Sequence, residues 1–190
     1  MAKYFVFDVG LIDIQPRIWR RFMIAQRASF GDLHRAIQDS FGWQDCHAWE
    51  FRLPNGDPIA GLMDGVGQDP PTDGEHLRLT QYFSGEGVCE WCEYCYDFSA
   101  DWVHEVKLVD LAVQDESFER RLLGGVRSCP PEDCGGPAGY AELVDSLRAG
   151  RGLPALDPQG AKRWASWDPE AFDVARVAGA FDRGRDAPAD

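Results

Sequence analysis

No uninterrupted apolar run in the sequence approaches the ~20 residues that cross a bilayer. The N-terminal residues Met1-Ala2-Lys3-Tyr4-Phe5 run straight into a strand-like pattern containing Asp8. They lack a signal peptide's apolar core and small-residue cleavage site. No membrane association and a cytoplasmic location are therefore expected. Positive charge is also scarce: 19 Lys and Arg stand against 32 Asp and Glu, for a net charge of −13. Phosphate backbones repel such a chain, which argues against non-specific nucleic-acid binding. The deficit is uneven, because residues 1–52 are close to neutral and the acids crowd into the remainder. Any anion-binding surface should lie near Arg17, Arg20, Arg21, Arg27 and Arg35. Those arginines also have a structural use, covering apolar strand and helix surface with their stems. Missing too are H-E-x-x-H, a glycine-rich phosphate loop, a G-x-S-x-G elbow and a helix-borne histidine pair. The absence of a complete catalytic set leans against an enzyme.

What is present suits one domain, since 190 residues fall within the usual domain range. We place that domain at residues 1–182 and a disordered tail at 183–190. Residues 4–12 and 17–25 have strand propensity, and Asp13-Ile14-Gln15-Pro16 can turn the chain between them. In the second strand Ile18, Arg20 and Phe22 share one face. Residues 30–41 read as a helix with Phe30, Leu33, Ile37 and Phe41 on one stripe and His34 at its edge. Ser29 is its N-cap, Asp32 the capping-box partner and Gly42 the stop. Residues 47–53 alternate as a third strand. A long loop is expected over 56–75, then a short helix or strand over 77–83. Strands are expected over 87–98 and 102–111, a structured loop over 128–139 and a helix over 140–149. A last helix should begin at Asp168-Pro169-Glu170, with Phe172, Ala175 and Gly179 on one face. Strands followed by helices outside the sheet imply an α+β fold. The order suggests a β-grasp-like roll, with a helix packed on a mixed or antiparallel sheet and C-terminal helices.

Six cysteines without an export signal read as reduced thiols. Cys89, Cys92 and Cys95 repeat at a spacing of three, but a strand would put neighbours on opposite faces, and Cys89 and Cys95 ~20 Å apart. Their reading is small, partly buried hydrophobes. Cys129-Pro130-Pro131-Glu132-Asp133-Cys134-Gly135-Gly136 is more informative. Its prolines stiffen the backbone, its glycines permit tight turns, and the two thiols have a zinc-compatible spacing. Asp97 and Asp101 flank a turn between two strands. His104 shares a strand face with Trp102, as His47 does with Trp49 and Phe51. Either histidine can be a core residue bonded to backbone, or a ligand or base oriented by a carboxylate.

These segments, read together, resemble the plasmid pRiA4b ORF-3-like family, also labelled as passenger (TnpR-like) proteins of insertion sequences. Pro16-Arg17-Ile18-Trp19-Arg20-Arg21 resembles its P-x-I-W-R-R strand. Asp32-Leu33-His34, Ile37-Gln38 and Phe41-Gly42-Trp43 resemble its helix ending in G-W. His47 with Phe51, Tyr96-Asp97-Phe98 and Asp101-Trp102-Val103-His104 fall in pattern. Cys129 to Gly136 matches C-P-P-E-D-C-G-G in full, and Asp168 to Asp173 resembles the closing D-P-E-x-F-D. The resemblance implies a prokaryotic or plasmid and mobile-element protein with a single α+β domain, and no established activity. A serine resolvase's nucleophile and DNA-binding module have no counterpart here. Ser99-Ala100 replaces the family's usual Gly-Asp, removing an easy positive-φ position and a possible ligand. Cys89, Cys92 and Cys95 lie outside the pattern.

The leading expectation is a non-catalytic binding or adaptor domain for an unknown protein or small-molecule ligand. The candidate binding residues are Arg20, His47, Asp97, Asp101, Trp102, His104, Glu132 and Asp133. Cys129 and Cys134 are candidate metal ligands, with zinc as the cofactor. One alternative is a metal-dependent hydrolase, in which His47, His104 and the carboxylates hold a metal that activates water. Another is a nucleic-acid accessory protein of a mobile element, using the N-terminal arginines.

Overall fold

The computed structural model describes residues 1–61, 72–85, 88–151 and 167–183. The expected hairpin pairs β1 (Ala2–Leu11) with β2 (Trp19–Ala25), from Tyr4 opposite Ala25 to Gly10 opposite Trp19. Helix α1 (Phe30–Phe41) starts and stops where its end signals lie. The Asp32 amide donates to Ser29 Oγ at 3.1 Å, and the Ser29 amide to the Asp32 carboxylate at 2.9 Å, which closes the capping box. Gly42 ends the helix at φ 84.

Strands β3 (Trp49–Arg52), β4 (Pro58–Ala60) and β5 (Thr72–Asp73) precede the short helix α2 (Thr80–Phe83). Then come β6 (Trp91–Tyr96), β7 (Trp102–Gln114), β8 (Arg120–Val126), α3 (Gly136–Arg148) and α4 (Val174–Phe181). The eight strands form one sheet in the order β5-β4-β3-β6-β7-β1-β2-β8. Every pairing is antiparallel except β4 with β5. This is the α+β architecture the sequence implies.

The core lies between one sheet face and the helices. Phe5, Phe7, Phe22, Tyr94, Trp102 and Val106 from the strands meet Phe30, Leu33, Ile37 and Phe41 of α1, Phe83 of α2 and Phe181 of α4. Tyr4, Val6, Met23 and Ala25 form a smaller cluster, against which Phe118 packs. Phe118 stacks on Tyr4 at 4.2 Å.

Several expectations need correction. Strand β8 has no counterpart among the expected elements. Arg120-Arg121-Leu122-Leu123-Gly124-Gly125-Val126 lacks a clean period of two, and it becomes a strand by pairing with β2. The expected 56–75 loop contains β4 and β5, while its residues 62–71 lie outside the described residues. Helix α3 begins at Gly136, inside the expected loop, because Pro137 occupies its first turn, where a missing N–H costs nothing. The last helix is capped by Asp173, whose side chain accepts from the Arg176 amide, and not by Asp168. Asp168 instead accepts the Glu170 amide at 2.9 Å in a local turn, and Arg127 takes the Glu170 carboxylate. The buried residue of that helix is Phe181, while Phe172 precedes it and Ala175 and Gly179 are exposed. Of the expected tail, residues 184–190 lie outside the described residues.

Two consequences can be measured. Trp102 is 2% exposed in the centre of the core, so Trp102→Ala should destabilise by about 3–5 kcal/mol in urea melts. His104 is fully buried between Phe41 and Trp43, and burial pushes its pKa down to about 4. Burial also lowers that of His34. The unfolded chain therefore binds more protons between about pH 6.5 and 4, and stability falls with pH in that window. From pH 7 to 5, largely above carboxylate titration, His104 alone should remove about 2 kcal/mol. Melts of His104→Phe should show a correspondingly flatter pH dependence.

Candidate metal site

Three segments meet at one edge of the core: the chain after α1, the turn between β6 and β7, and the C-P-P-E-D-C-G-G loop. The first is fixed from inside. Trp43 turns into the core at 4% exposure, stacks on Tyr96 at 5.1 Å and donates its indole N–H to the Pro130 carbonyl at 3.0 Å. His34 and Gln38, one helical turn apart, hold Asp45 and the residues beside it. Gln38 accepts the Asp45 amide at 3.1 Å and donates to the Tyr94 hydroxyl at 3.0 Å. His34 lies 2.7 Å from the Asp45 carboxylate on one side and 2.7 Å from the Tyr94 hydroxyl on the other. The network presents Cys46 and His47 at the rim.

The second segment is an Asx-type turn. Asp97 Oδ1 accepts from the Ser99 amide at 3.1 Å and the Ser99 hydroxyl at 2.6 Å. This leaves Oδ2 facing His47 Nε2 at 3.7 Å. The left-handed residues of the turn are Asp97 and Asp101, each at φ 55. Ser99 and Ala100 occupy ordinary conformations, so losing the family's glycine there costs no backbone strain. The third segment is pressed against this turn at Gly136, which lies at φ 71. A β-carbon there would come within 2.4 Å of the Ala100 carbonyl oxygen.

Glu132 locks the three together. Its carboxylate accepts from the Tyr96 hydroxyl at 2.6 Å and from the Gln44 amide at 2.8 Å, and Cys46 Sγ approaches at 3.4 Å. Burial, then the Glu132 carboxylate, hold the Tyr96 hydroxyl far above its ordinary pKa. Burial likewise raises the Cys46 thiol, which stays protonated at neutral pH. Asp133 points outward, its side chain 76% exposed, with Oδ1 3.2 Å from His47 Nε2. His47 therefore belongs to two groups: Cys46, His47 and Glu132, and His47, Asp97 and Asp133. The ligand-type atoms within each lie within 4.8 Å of one another. Donors around a tetrahedral ion with bonds of about 2 Å sit roughly 3.3 Å apart. Small side-chain rotations would close either group on a divalent ion. The imidazole, carboxylate and thiol set suits zinc and its neighbours.

Of the candidate residues, His47, Asp97, Glu132 and Asp133 thus come together. The others lie elsewhere. Asp101 turns to Cys95, whose thiol approaches its Oδ1 at 3.6 Å. His104 Nδ1 sits 3.2 and 3.1 Å from the Tyr94 and Trp102 carbonyls, sealed in the core with Trp102. Arg20 is buried and bonded to backbone. Cys134 is buried and Cys129 half-buried, and neither joins a three-ligand group among the described residues. All six cysteines are free thiols; Cys92 lies in the core, and Cys89 donates to the Trp91 carbonyl. Sequence reasoning missed Cys46 as a site residue, though its adjacency to His47 is a usable signal. It also missed Tyr96 and Gln44, whose roles arise only from the fold.

A family model described as plasmid pRiA4b ORF-3-like protein matches residues 3–176. The chain is 32% identical over 147 residues to the uncharacterized protein y4hQ of Sinorhizobium fredii, covering 77% of this chain and 74% of that protein. It is also similar to the crystal structure of MM3350, a protein of unknown function from Methanosarcina mazei Go1. The TM-score is 0.75 and the identity 28%, covering 93% of this chain and 98% of that one.

The Glu132 lock is open to test. Tyr96→Phe removes its closest donor and leaves a buried carboxylate short of one hydrogen bond, so chemical melts should show a loss of about 1–3 kcal/mol. An unchanged midpoint would mean that the three segments do not depend on this bond.

Proposed function

This chain belongs to the plasmid pRiA4b ORF-3-like family, and on that premise we propose that it is a non-catalytic binding domain whose rim site takes one divalent transition-metal ion, zinc for preference. One observation carries the reading: His47 is shared between two ligand groups drawn from three separated segments. His47, Asp97 and Asp133 are the primary ligands. Glu132 is already engaged by Tyr96 and Gln44, and acts chiefly as the brace that sets the site's shape. Residues 1–182 act as one domain, and a cytoplasmic setting fits six free thiols. The association with plasmids and mobile elements rests on the family's name alone.

A second reading, metal-dependent hydrolysis, draws on the exposure of Asp133. An ion held on the open side of the site would keep a position for water, which it would activate. The nucleic-acid reading has less support. Arg17 and Arg21 are tied to Asp8, Arg35 to Asp32 and Glu75, and Arg20 is buried.

Calorimetric titration of the metal-free, untagged protein with zinc should give about one equivalent and a raised melting temperature. His47→Ala and Asp133→Asn should each weaken binding by about tenfold or more, and Cys129→Ser should not. Absence of binding, or equal affinity in all variants, would sink the assignment.

A further inference from the structure

A second feature lies on the other arm of the C-P-P-E-D-C-G-G loop. The end of α1, the 128–130 segment and α4 enclose a cleft of about 370 Å³, within the range of small-ligand sites. Its aromatic lining includes Trp43, Trp167 and Phe172. Trp43 and Trp167 donate their indole N–H groups to consecutive carbonyls, Pro130 at 3.0 Å and Cys129 at 3.1 Å. The indole N–H groups are thereby satisfied within the protein, and the rings are fixed in orientation.

Charge in this cleft runs against that of the chain. Arg20 lines it at 1% exposure and has no carboxylate partner among the described residues. Its Nε donates to the Ser40 carbonyl, Nη1 to those of Trp19 and Val126, and Nη2 to that of Arg127, all at 2.8–2.9 Å. One Nη2 N–H is left without an acceptor among the described residues. Phe172 covers one side of the guanidinium at 3.9 Å, and Phe41 lies 5.0 Å away. Burial lowers its pKa only to about 10, so it stays charged at neutral pH. The neighbouring Cys129 thiol is pushed up by burial and supplies no countercharge. A second cation, the exposed Arg176, also lines the cleft, with no ion pair to a described residue. The wall's one acid, Asp39, is bonded to Arg120. A protein of net charge −13 thus has a cleft with two cations that no carboxylate among the described residues answers.

We propose that this cleft binds a small aromatic carboxylate, its ring on the Trp43, Trp167 and Phe172 lining and its anion toward Arg176 and the free Nη2 N–H of Arg20. Carboxylate fits better than phosphate. A phosphate dianion asks for several convergent donors, and Arg20 has already committed four of its five. The cleft is separate from the His47 site, so the proposal stands apart from metal binding.

The test is calorimetry with 1-naphthoate and its neutral amide, 1-naphthamide. The acid should bind one to one, and the amide about tenfold or more weaker. Arg176→Gln, an exposed change that leaves the core alone, should erase most of that difference by weakening the acid and not the amide. His47→Ala should leave both unchanged. No binding of naphthoate up to about 1 mM would overturn the proposal. So would equal binding of acid and amide, or wild-type behaviour in Arg176→Gln. Inorganic phosphate that displaced naphthoate at equal concentration would reduce the cleft to a simple anion site and overturn the aromatic carboxylate.

Discussion

The guanidinium of Arg20 is the point on which this fold closes. A charge taken out of water must be answered within the protein, and here four backbone carbonyls answer it. They come from β2 itself, the last turn of α1, the end of β8 and Arg127 just beyond it. One side chain therefore fixes where the main helix ends relative to the sheet, and where the edge strand β8 stops. Arg127 extends the tie. It pairs with Glu170 at 2.9 and 2.6 Å and donates to the Pro16 carbonyl at 2.6 Å. The segment before α4 and the β1–β2 turn are bound to the same corner. Loss of any one carbonyl would leave a further donor of this buried guanidinium unmet, which ties the pieces of the corner to one another.

From that corner the C-P-P-E-D-C-G-G loop departs, and its two arms do different work. Cys129 and Pro130 offer their carbonyls to Trp167 and Trp43, so this arm acts as a rail for aromatic rings. Glu132 and Asp133 point the other way, one inward to Tyr96 and one outward to His47. The prolines restrict the backbone of the rail, and Gly136 lets the chain pack onto the β6–β7 turn as α3 begins. A loop of this composition looks irregular but is held along both arms by hydrogen bonds to buried or half-buried side chains.

The legible parts of the sequence were those whose signals are local. The capping box at Ser29 and Asp32 and the stop at Gly42 define α1 without help from the rest of the chain. The β1–β2 hairpin follows from two propensity-rich runs around a proline turn. Strand β8 had no such signal, since two arginines and two glycines make a strand only when β2 supplies the ladder. The site was half legible for the same reason. His47, Asp97, Glu132 and Asp133 carry chemistry in their names, but their convergence depends on Trp43, Gln38 and Tyr96, which act through packing and hydrogen bonds. His104 and Trp102 were ambiguous because an alternating strand shows that they share a face and leaves open whether that face meets solvent or core.

The distinction between holding the fold and doing something with it can be drawn residue by residue. Glu132 and Trp102 are buried and bonded or packed, and the stability they confer accounts for their presence, while Arg20 and Trp43 hold the fold in the same way and also line the cleft. Ser29, Asp32, His34 and Gln38 are likewise used up in capping and bracing. His47 and Asp133 are different. One is half-buried and the other exposed, and a histidine–carboxylate contact this open to water contributes little to stability. Yet much of the bracing converges on the chain segments that carry them. Tyr96 holds Glu132, Glu132 holds the Gln44 amide, Gln38 holds the Asp45 amide, and the Asx turn aims one Asp97 oxygen at the same imidazole. Such bracing is hard to explain as support for a surface histidine that does nothing. It is the arrangement that the proposed metal site would require, with its ligands preorganised before an ion binds.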